Sequence, residues 1–313
     1  MRLIAKHNHG EEIVVLADEA GNAIRFFIAR PERLNLDETY DGIIRKKDLT
    51  LRGYFAETNK GCVFIHSKEH HTEGERVLIK ITKEARSGKD ANGIFVTQKE
   101  PAKSLIQKLS EDYNLPVSYE WDDVYDESLE NALSETVYFN EGAEIHINRT
   151  PVCWTIDVDS GNSITPTAEL NQQAAQIIAQ EIAKRHMGGL ILIDFIGKKH
   201  KIMRIALQKY LTELIKKDSL SQILGWTYGG LFEIRRTRTY APLIDVLLST
   251  DGQSNALSTA YRICDMTHKY KYVPHIIAHP KVIEILRKKL KNTAVLQADI
   301  TYAHHDFLIK EKK

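Results

Sequence analysis

Two short segments of this chain end alike. Val152-Cys153-Trp154-Thr155-Ile156-Asp157-Val158 is an apolar run that closes on Asp157, Asp159, Ser160 and Gly161. Leu190-Ile191-Leu192-Ile193-Asp194-Phe195-Ile196 is a second such run, with Asp194 near its end. Between them, residues 167–186 keep a helical period, with Leu170, Ala174, Ile177, Ile178 and Ile182 on one face. Pro166 stands at the start of that helix and Gly188-Gly189 at its expected end. Strands joined by one crossover helix lie parallel and close, and their carboxyl ends open onto one crevice. Asp157 and Asp194 are therefore expected to share a site. Neighbouring carboxylates repel and need a proton, an arginine or a metal between them. Mg²⁺ suits them: it takes oxygen ligands and is commonly held by one or two carboxylates plus substrate phosphate oxygens. Such an ion can activate water and neutralise charge on a phosphodiester. Taken singly, each aspartate could equally be a turn cap at a strand end.

The elements that must position this pair change character along the chain. Residues 2–30 read as short strands with a turn at Asp18-Glu19-Ala20-Gly21-Asn22. Four further strand candidates lie at 40–44, 53–57, 62–66 and 76–81, separated by loops rich in Gly, Asn and Lys, a spacing that suggests a small barrel. Residues 101–114 and 128–134 read as helices, and 136–140 and 144–148 as strands. After Pro151 the pattern is α/β: a basic amphipathic helix at 199–217, a strand at 222–228, and a short helix at 231–238. The tail alternates helix (255–269), strand (273–278), helix (281–291) and strand (294–298).

Composition bounds the rest. An apolar fraction of 42% and a charged fraction of 27% are those of a globular chain with a substantial core, which excludes wholesale disorder. No apolar run approaches the roughly 18 residues of a membrane span, and Met1-Arg2-Leu3-Ile4-Ala5-Lys6-His7 turns polar too soon for a signal peptide, so a cytoplasmic protein without membrane association is expected. Cys62, Cys153 and Cys264 form no C-x-x-C pair, which speaks against zinc and a disulfide framework. Net charge is only +1, yet residues 110–144 hold 11 acidic side chains and no Lys or Arg, whereas 198–217 hold seven Lys or Arg against one Glu. Such segregation fits local nucleic-acid binding as well as it fits two solvated faces.

Four fragments in order carry a resemblance: Ile156-Asp157-Val158-Asp159-Ser160-Gly161, Leu170-Asn171-Gln172-Gln173-Ala174-Ala175, Gly188-Gly189-Leu190-Ile191-Leu192-Ile193-Asp194-Phe195-Ile196, and Gly229-Gly230-Leu231-Phe232-Glu233-Ile234-Arg235-Arg236-Thr237-Arg238. Together they resemble the catalytic core of the ribonuclease E/G family, best over 128–243 and more loosely over 1–100. The resemblance implies Mg²⁺-dependent endonucleolytic cleavage of single-stranded RNA, in rRNA or mRNA processing or decay, leaving 5′-phosphate ends. It places the metal aspartates on Asp157 and Asp194 and a further catalytic position on Asp159, where the family has asparagine. Gly53-Tyr54-Phe55-Ala56-Glu57 and Gly61-Cys62-Val63-Phe64-Ile65 resemble the central strands of the family's RNA-binding barrel, with Phe55 and Phe64 as base-stacking aromatics. Apart from the resemblance, the same two rings read as barrel core. Residues 81–89 resemble the loop that supplies a catalytic lysine, here Lys89. Lys198, Lys199, Arg235, Arg236 and Arg238 are candidate phosphate contacts, Lys201 beside them, or else one solvated face.

The resemblance implies an α+β fold: an OB-fold (S1-like) β-barrel inserted in an RNase H-like subdomain, then an α/β catalytic subdomain and a small C-terminal α/β domain. The expected divisions are 1–34 and 99–150 for the RNase H-like subdomain, 35–98 for the OB-fold, 151–243 for the catalytic subdomain and 244–313 for the C-terminal domain. Several features depart from the family. Residues 99–150 leave no room for its 5′-monophosphate sensor, and 244–260 lack the cysteines of its zinc link, so a homodimer, if one forms, would not be metal-linked. Gly197 stands in place of a second aspartate, and Ser219 and Ser221 replace a basic pair. These changes motivate an alternative, a non-catalytic RNA-binding protein on a degenerate ribonuclease E/G scaffold.

Overall fold

The computed structural model of the chain describes residues 1–197, 201–248, 252–267, 270, 272–291 and 293–311. It is a mixed α+β protein whose backbone divides into two compact units, one of 1–15, 27–121 and 243–313, the other of 16–26 and 122–242. The chain opens with β1 (Arg2–Asn8), β2 (Glu11–Ala17) and β3 (Ala23–Ala29). Then come β4 (Thr39–Asp48), β5 (Gly53–Thr58), β6 (Gly61–His66), β7 (Arg76–Lys83) and β8 (Ala91–Val96), which close into a five-stranded barrel in the order β4-β5-β6-β8-β7, consistent with an OB-like fold. The alternation of each barrel strand sends Ile44, Tyr54, Ala56, Val63, Ile65, Ile79 and Ile81 into one core. Four of the five strands were legible in the sequence; β8 was not, because Ala91-Asn92-Gly93-Ile94-Phe95-Val96 carries a glycine and an asparagine that depress strand propensity.

Helix α1 (Leu105–Tyr113) follows, started by a capping box between Ser104 and Gln107. The short β9 (Val117–Ser118) pairs parallel with β1, giving a sheet ordered β3-β2-β1-β9. Helix α2 (Asp123–Asn131) starts earlier than its sequence suggested, because the Asp122 side chain caps it by accepting from the Val124 N–H.

The second unit is built on one six-stranded sheet. Its strands are β10 (Thr136–Phe139), β11 (Ala143–Arg149), β12 (Cys153–Asp159), β13 (Gly189–Asp194), β14 (Ser221–Trp226) and β15 (Phe232–Arg236), in the order β10-β11-β12-β13-β15-β14. Helix α3 (Thr167–Lys184) joins β12 to β13, and α4 (Lys201–Ile215) joins β13 to β14. Along β11, β12, β13 and β15 every second side chain is buried: Ile145 and Ile147, Trp154, Ile156 and Val158, Ile191 and Ile193, Phe232 and Ile234. The packed pair α3 and α4 supplies the apolar cover for that face. The intervening residues form the opposite face, which is polar at the end that carries Glu144, His146, Asp157, Asp159 and Asp194 and includes the half-buried Leu190 and Leu192 further back.

The structure departs from two local expectations. Residues 231–238 are not a short helix: Phe232–Arg236 is a strand, the return arm of a hairpin with β14 and the antiparallel neighbour of β13. Its in–out pattern, Phe232 buried, Glu233 half-buried, Ile234 buried, Arg235 exposed, has period 2. Nor do Gly188-Gly189 stop α3. The stop is His186 in a left-handed conformation (φ 54°), with the Met187 N–H returning to the Ile182 carbonyl at 3.1 Å. The two glycines serve Arg238 instead. A Cβ on Gly189 would stand 2.2 Å from Arg238 Nη2, and one on Gly188 2.7 Å from its Cγ.

The tail comprises α5 (Leu243–Leu247), α6 (Gly252–Thr267), β16 (Pro274–Ala278), α7 (Pro280–Leu290), β17 (Val295–Ala298) and β18 (Phe307–Glu311). Its three strands are ordered β17-β16-β18, β18 being an addition to the elements read from the sequence. Among the described residues, no helix is long and apolar enough to cross a membrane.

Candidate active site

Strands β12 and β13 run parallel, and in their register Asp157 is the Cα partner of Asp194. Side chains opposite one another in a sheet project to the same side. The two carboxylates therefore stand side by side on the polar face, Asp157 exposed and Asp194 half-buried. The row extends further. Across the antiparallel β11, His146 is the partner of Asp157, and across β10, Thr136 is the partner of His146. One step along, Tyr138, Glu144 and Asp159 form a second row on the same face.

Of these residues Asp159 was expected at the site; Tyr138, Glu144 and His146 escaped the sequence reading. A signal was present: Glu144-Ile145-His146-Ile147-Asn148 alternates polar and apolar, which marks His146 as facing away from the core. Its juxtaposition with Asp157 depends on register. The imidazole is held on both sides, with Thr136 Oγ1 3.2 Å from Nδ1 and Glu144 Oε2 3.2 Å from Nε2.

The strand ends are braced from α3. Asn171, 3% exposed, donates from Nδ2 to the Ile196 carbonyl at 2.8 Å and accepts the Ile196 N–H at 3.1 Å. That bidentate bond pins the segment that follows Asp194. Two residues along the helix, Gln173 Oε1 accepts from Asn140 Nδ2 at 2.7 Å, tying the β10–β11 turn to the same helix. Asp159 closes its strand as a turn cap, one carboxylate oxygen accepting the Gly161 N–H at 2.8 Å. Gly161 in turn lies so close to the β10–β11 turn that a Cβ there would stand 2.0 Å from the Gly142 carbonyl oxygen. The motif fragments thus act together: they fix the loops at the carboxyl ends of β12 and β13.

The arginines of β15 separate. Arg235 is exposed on the polar face. Arg236 is 2% exposed, its Nε 2.7 Å from Asp218 Oδ2 and its Nη1 donating to the Met187 carbonyl at 3.1 Å. It is a buried ion-pair partner, and the alternation of the strand that carries it removes it from the solvent-facing phosphate contacts. Burial alone would raise the Asp218 pKa; the hydrogen bond and charge of Arg236, then Ser221 and Arg25, hold it below the usual carboxylate value. Arg238 packs on Gly188-Gly189 and donates from Nε to the Gly188 carbonyl at 3.3 Å, and its pKa is lowered by burial and by Arg149. Lys198 and Lys199 lie outside the described residues, and Lys201 opens α4.

In the barrel, Phe55 and Phe64 are register partners on β5 and β6, with ring centroids 5.1 Å apart. Neither belongs to the barrel core, which takes Tyr54, Ala56, Val63 and Ile65 instead. The rings are half-buried on the outer surface. Lys89 is exposed at the base of a tight turn whose tip is Ser87-Gly88 and which its backbone pairing with Arg86 closes.

Among the described residues, no group of three or more His, Cys, Asp or Glu side chains converges as a ready-made metal cage. What the polar face offers is two adjacent carboxylates with Asp159 and Glu144 one row away. That all-oxygen set carries excess negative charge and fits a hard divalent cation that completes its shell with water and phosphate oxygens.

The family model for the ribonuclease E/G family matches residues 64–239, which takes in β12, α3, β13 and β15 with both aspartates. The chain belongs to the ribonuclease E/G family. Ribonuclease G of Haemophilus influenzae is 31% identical over 134 residues, 40% of this chain and 27% of its own length. Ribonuclease G of Escherichia coli is 29% identical over 126 residues, covering 38% and 26%. Ribonuclease E of Escherichia coli is 33% identical over 117 residues, covering 35% and 11%. The matches thus span about a quarter or less of these ribonucleases. Among solved structures, a multidomain protein with nucleic acid binding domains from Streptococcus pneumoniae aligns over 33% of this chain and 40% of its own at 13% identity, with a TM-score of 0.18, too low to bear on fold or function.

Proposed function

We propose that this family member is an endoribonuclease that cuts single-stranded RNA at the Asp157/Asp194 pair with Mg²⁺, leaving 5′-phosphate ends, and that it works in the cytoplasm on rRNA or mRNA. The observation that carries the reading is the register itself: two aspartates on parallel strands, paired Cα to Cα at the carboxyl ends where α/β sheets bind ligands. Asp157 and Asp194 would hold the ion. When bound, Mg²⁺ supplies charge neutralisation at the scissile phosphodiester, an effect worth several kcal/mol. The chain's own residues do the rest. Asn171 keeps the Asp194 strand end in place. Asp159, one oxygen already committed to Gly161, has its other oxygen available to orient water on the polar face. Arg235 and Lys89, both exposed, serve as phosphate contacts, and Phe55 and Phe64 stack bases on the barrel.

The division of the chain follows the family: an OB-fold at 35–98 inserted in an RNase H-like subdomain at 1–34 and 99–150, a catalytic subdomain at 151–243 and a C-terminal domain at 244–313. The order β3-β2-β1-β9, with the barrel strands falling between β3 and β9, supports that arrangement. In the same reading the chain lacks a 5′-end sensor and a zinc link.

One observation favours the second reading, a non-catalytic RNA binder. Gly197 takes the place of a family aspartate, and a Cβ there would stand 3.0 Å from Thr167 Cγ2, so the segment is settled around glycine. A timed gel of labelled A/U-rich RNA decides between the two. Internal cuts in Mg²⁺, absent in EDTA and reduced at least about 100-fold in Asp157→Asn, are expected for the nuclease. Intact RNA with a mobility shift in every lane would establish the binder.

A further inference from the structure

Tyr138 is a large aromatic side chain that the fold does not use. It is 72% exposed on the edge strand β10, and among the described residues it makes no ring contact and no side-chain hydrogen bond. Its position is not arbitrary. Tyr138 is the register partner of Glu144, and Glu144 of Asp159, so the ring shares the polar face with the Asp157/Asp194 pair. Strand spacing puts its Cα two strands, or roughly 10 Å, from that of Asp159. His146, diagonal to Tyr138 on the same face, lies between it and Asp157. Because Thr136 and Glu144 engage both imidazole nitrogens, the ring is held in orientation and is left its partly exposed π-surface for a further contact.

Two flat rings on a wet face beside a carboxylate pair suit one class of occupant. Glu144, Asp159 and Asp157 repel a phosphate backbone, so what binds above Tyr138 must be recognised through something other than its charge. The bases of single-stranded RNA have that property, since every base offers a π-face. We propose that Tyr138 and His146 form a base-stacking subsite for the nucleotides next to the scissile phosphate. Tyr138 is the platform and His146 a positioning residue. The proposal rests on the reading of Asp157 and Asp194 as the cleavage site, and it adds a second stacking surface to that of Phe55 and Phe64.

The test is steady-state cleavage of a labelled single-stranded RNA of about 20 nucleotides by the full chain in Mg²⁺, comparing wild type with Tyr138→Ala, Tyr138→Phe and His146→Ala. Loss of one stack corresponds to roughly a 5- to 150-fold loss of binding. Tyr138→Ala is therefore expected to raise KM by that factor with kcat little changed, and Tyr138→Phe to restore it. A smaller KM rise is expected for His146→Ala. An exposed ring is removed without harm to the fold, which a urea melt of each variant checks. An unchanged KM for Tyr138→Ala overturns the subsite while leaving the nuclease reading intact. If wild type cuts nothing, equilibrium binding of the same RNA carrying 2-aminopurine replaces KM. A comparable rise in Kd for Tyr138→Ala, reversed by Phe, would then uphold the subsite although the nuclease reading had failed, and an unchanged Kd would sink both.

Discussion

Asn171 offers the sharpest test of how the site is built. Its side chain makes both hydrogen bonds of the Ile196 peptide groups, at 2.8 and 3.1 Å, from a position only 3% exposed. Replacing it with alanine leaves one N–H and one C=O without their partner. An unsatisfied buried group costs about 1–3 kcal/mol, and Ile196 is half-buried, so water recovers part of the loss. The expected destabilisation is about 2–4 kcal/mol. Asn171→Asp keeps the acceptor and loses the donor, and is expected to fall between wild type and alanine. Because Ile196 is two residues from Asp194, the slackened segment should also displace that carboxylate. Misplacement of a catalytic group by about 1 Å can cost 100-fold in rate. Urea denaturation followed by tryptophan fluorescence reads the stability, since Trp154 and Trp226 both lie in the same unit as Asn171. RNA cleavage in the absence of urea reads the activity. Stability within about 0.5 kcal/mol of wild type, together with undiminished cleavage, would refute the claim that the α3 motif exists to pin the Asp194 strand end.

The barrel and the buried histidine give two further tests. Phe55→Ala and Phe64→Ala should each weaken RNA binding about 5- to 150-fold in a mobility-shift titration. Both should leave the melting transition nearly unmoved, because neither ring is in the barrel core, and the double variant should be less than additive because the rings touch. His186 is 3% exposed, donates to the Phe26 carbonyl and is held neutral: burial first, then the charge of Arg236, lower its pKa from 6.5 to about 3. Below pH 6.5 the unfolded chain takes up a proton that the folded chain refuses, so stability should fall as pH drops from about 6.5 towards 3, at up to roughly 1.4 kcal/mol per pH unit. Urea melts at pH 7, 6 and 5 should show that slope in wild type and a shallower one in His186→Asn; equal slopes would remove His186 as the cause.

Much of the site is written in local pattern. The apolar runs ending in Asp157 and Asp194, the helical face between them and the barrel strands are periodicities of 2 and 3.6, visible because burial of one face imposes them. From those alone followed the parallel pairing of the two strands. Local pattern could not decide what depends on partners far along the chain. Residues 231–238 carry arginines at positions that suit a helix face, and only pairing with β13 and β14 makes them a strand that turns Arg235 outward and Arg236 inward to Asp218. Gly188-Gly189 look like a helix stop until Arg238, some 50 residues on, is laid across them. His146 and Tyr138 alternate correctly in their strands, yet nothing nearby says that one stands opposite Asp157 and the other in the row of Asp159. Side-chain alternation is a property of each strand, set by the pleat. Register is a property of two strands, chosen by the sum of their cross-strand contacts, and a slip of one residue would turn either strand's carboxylate into the core.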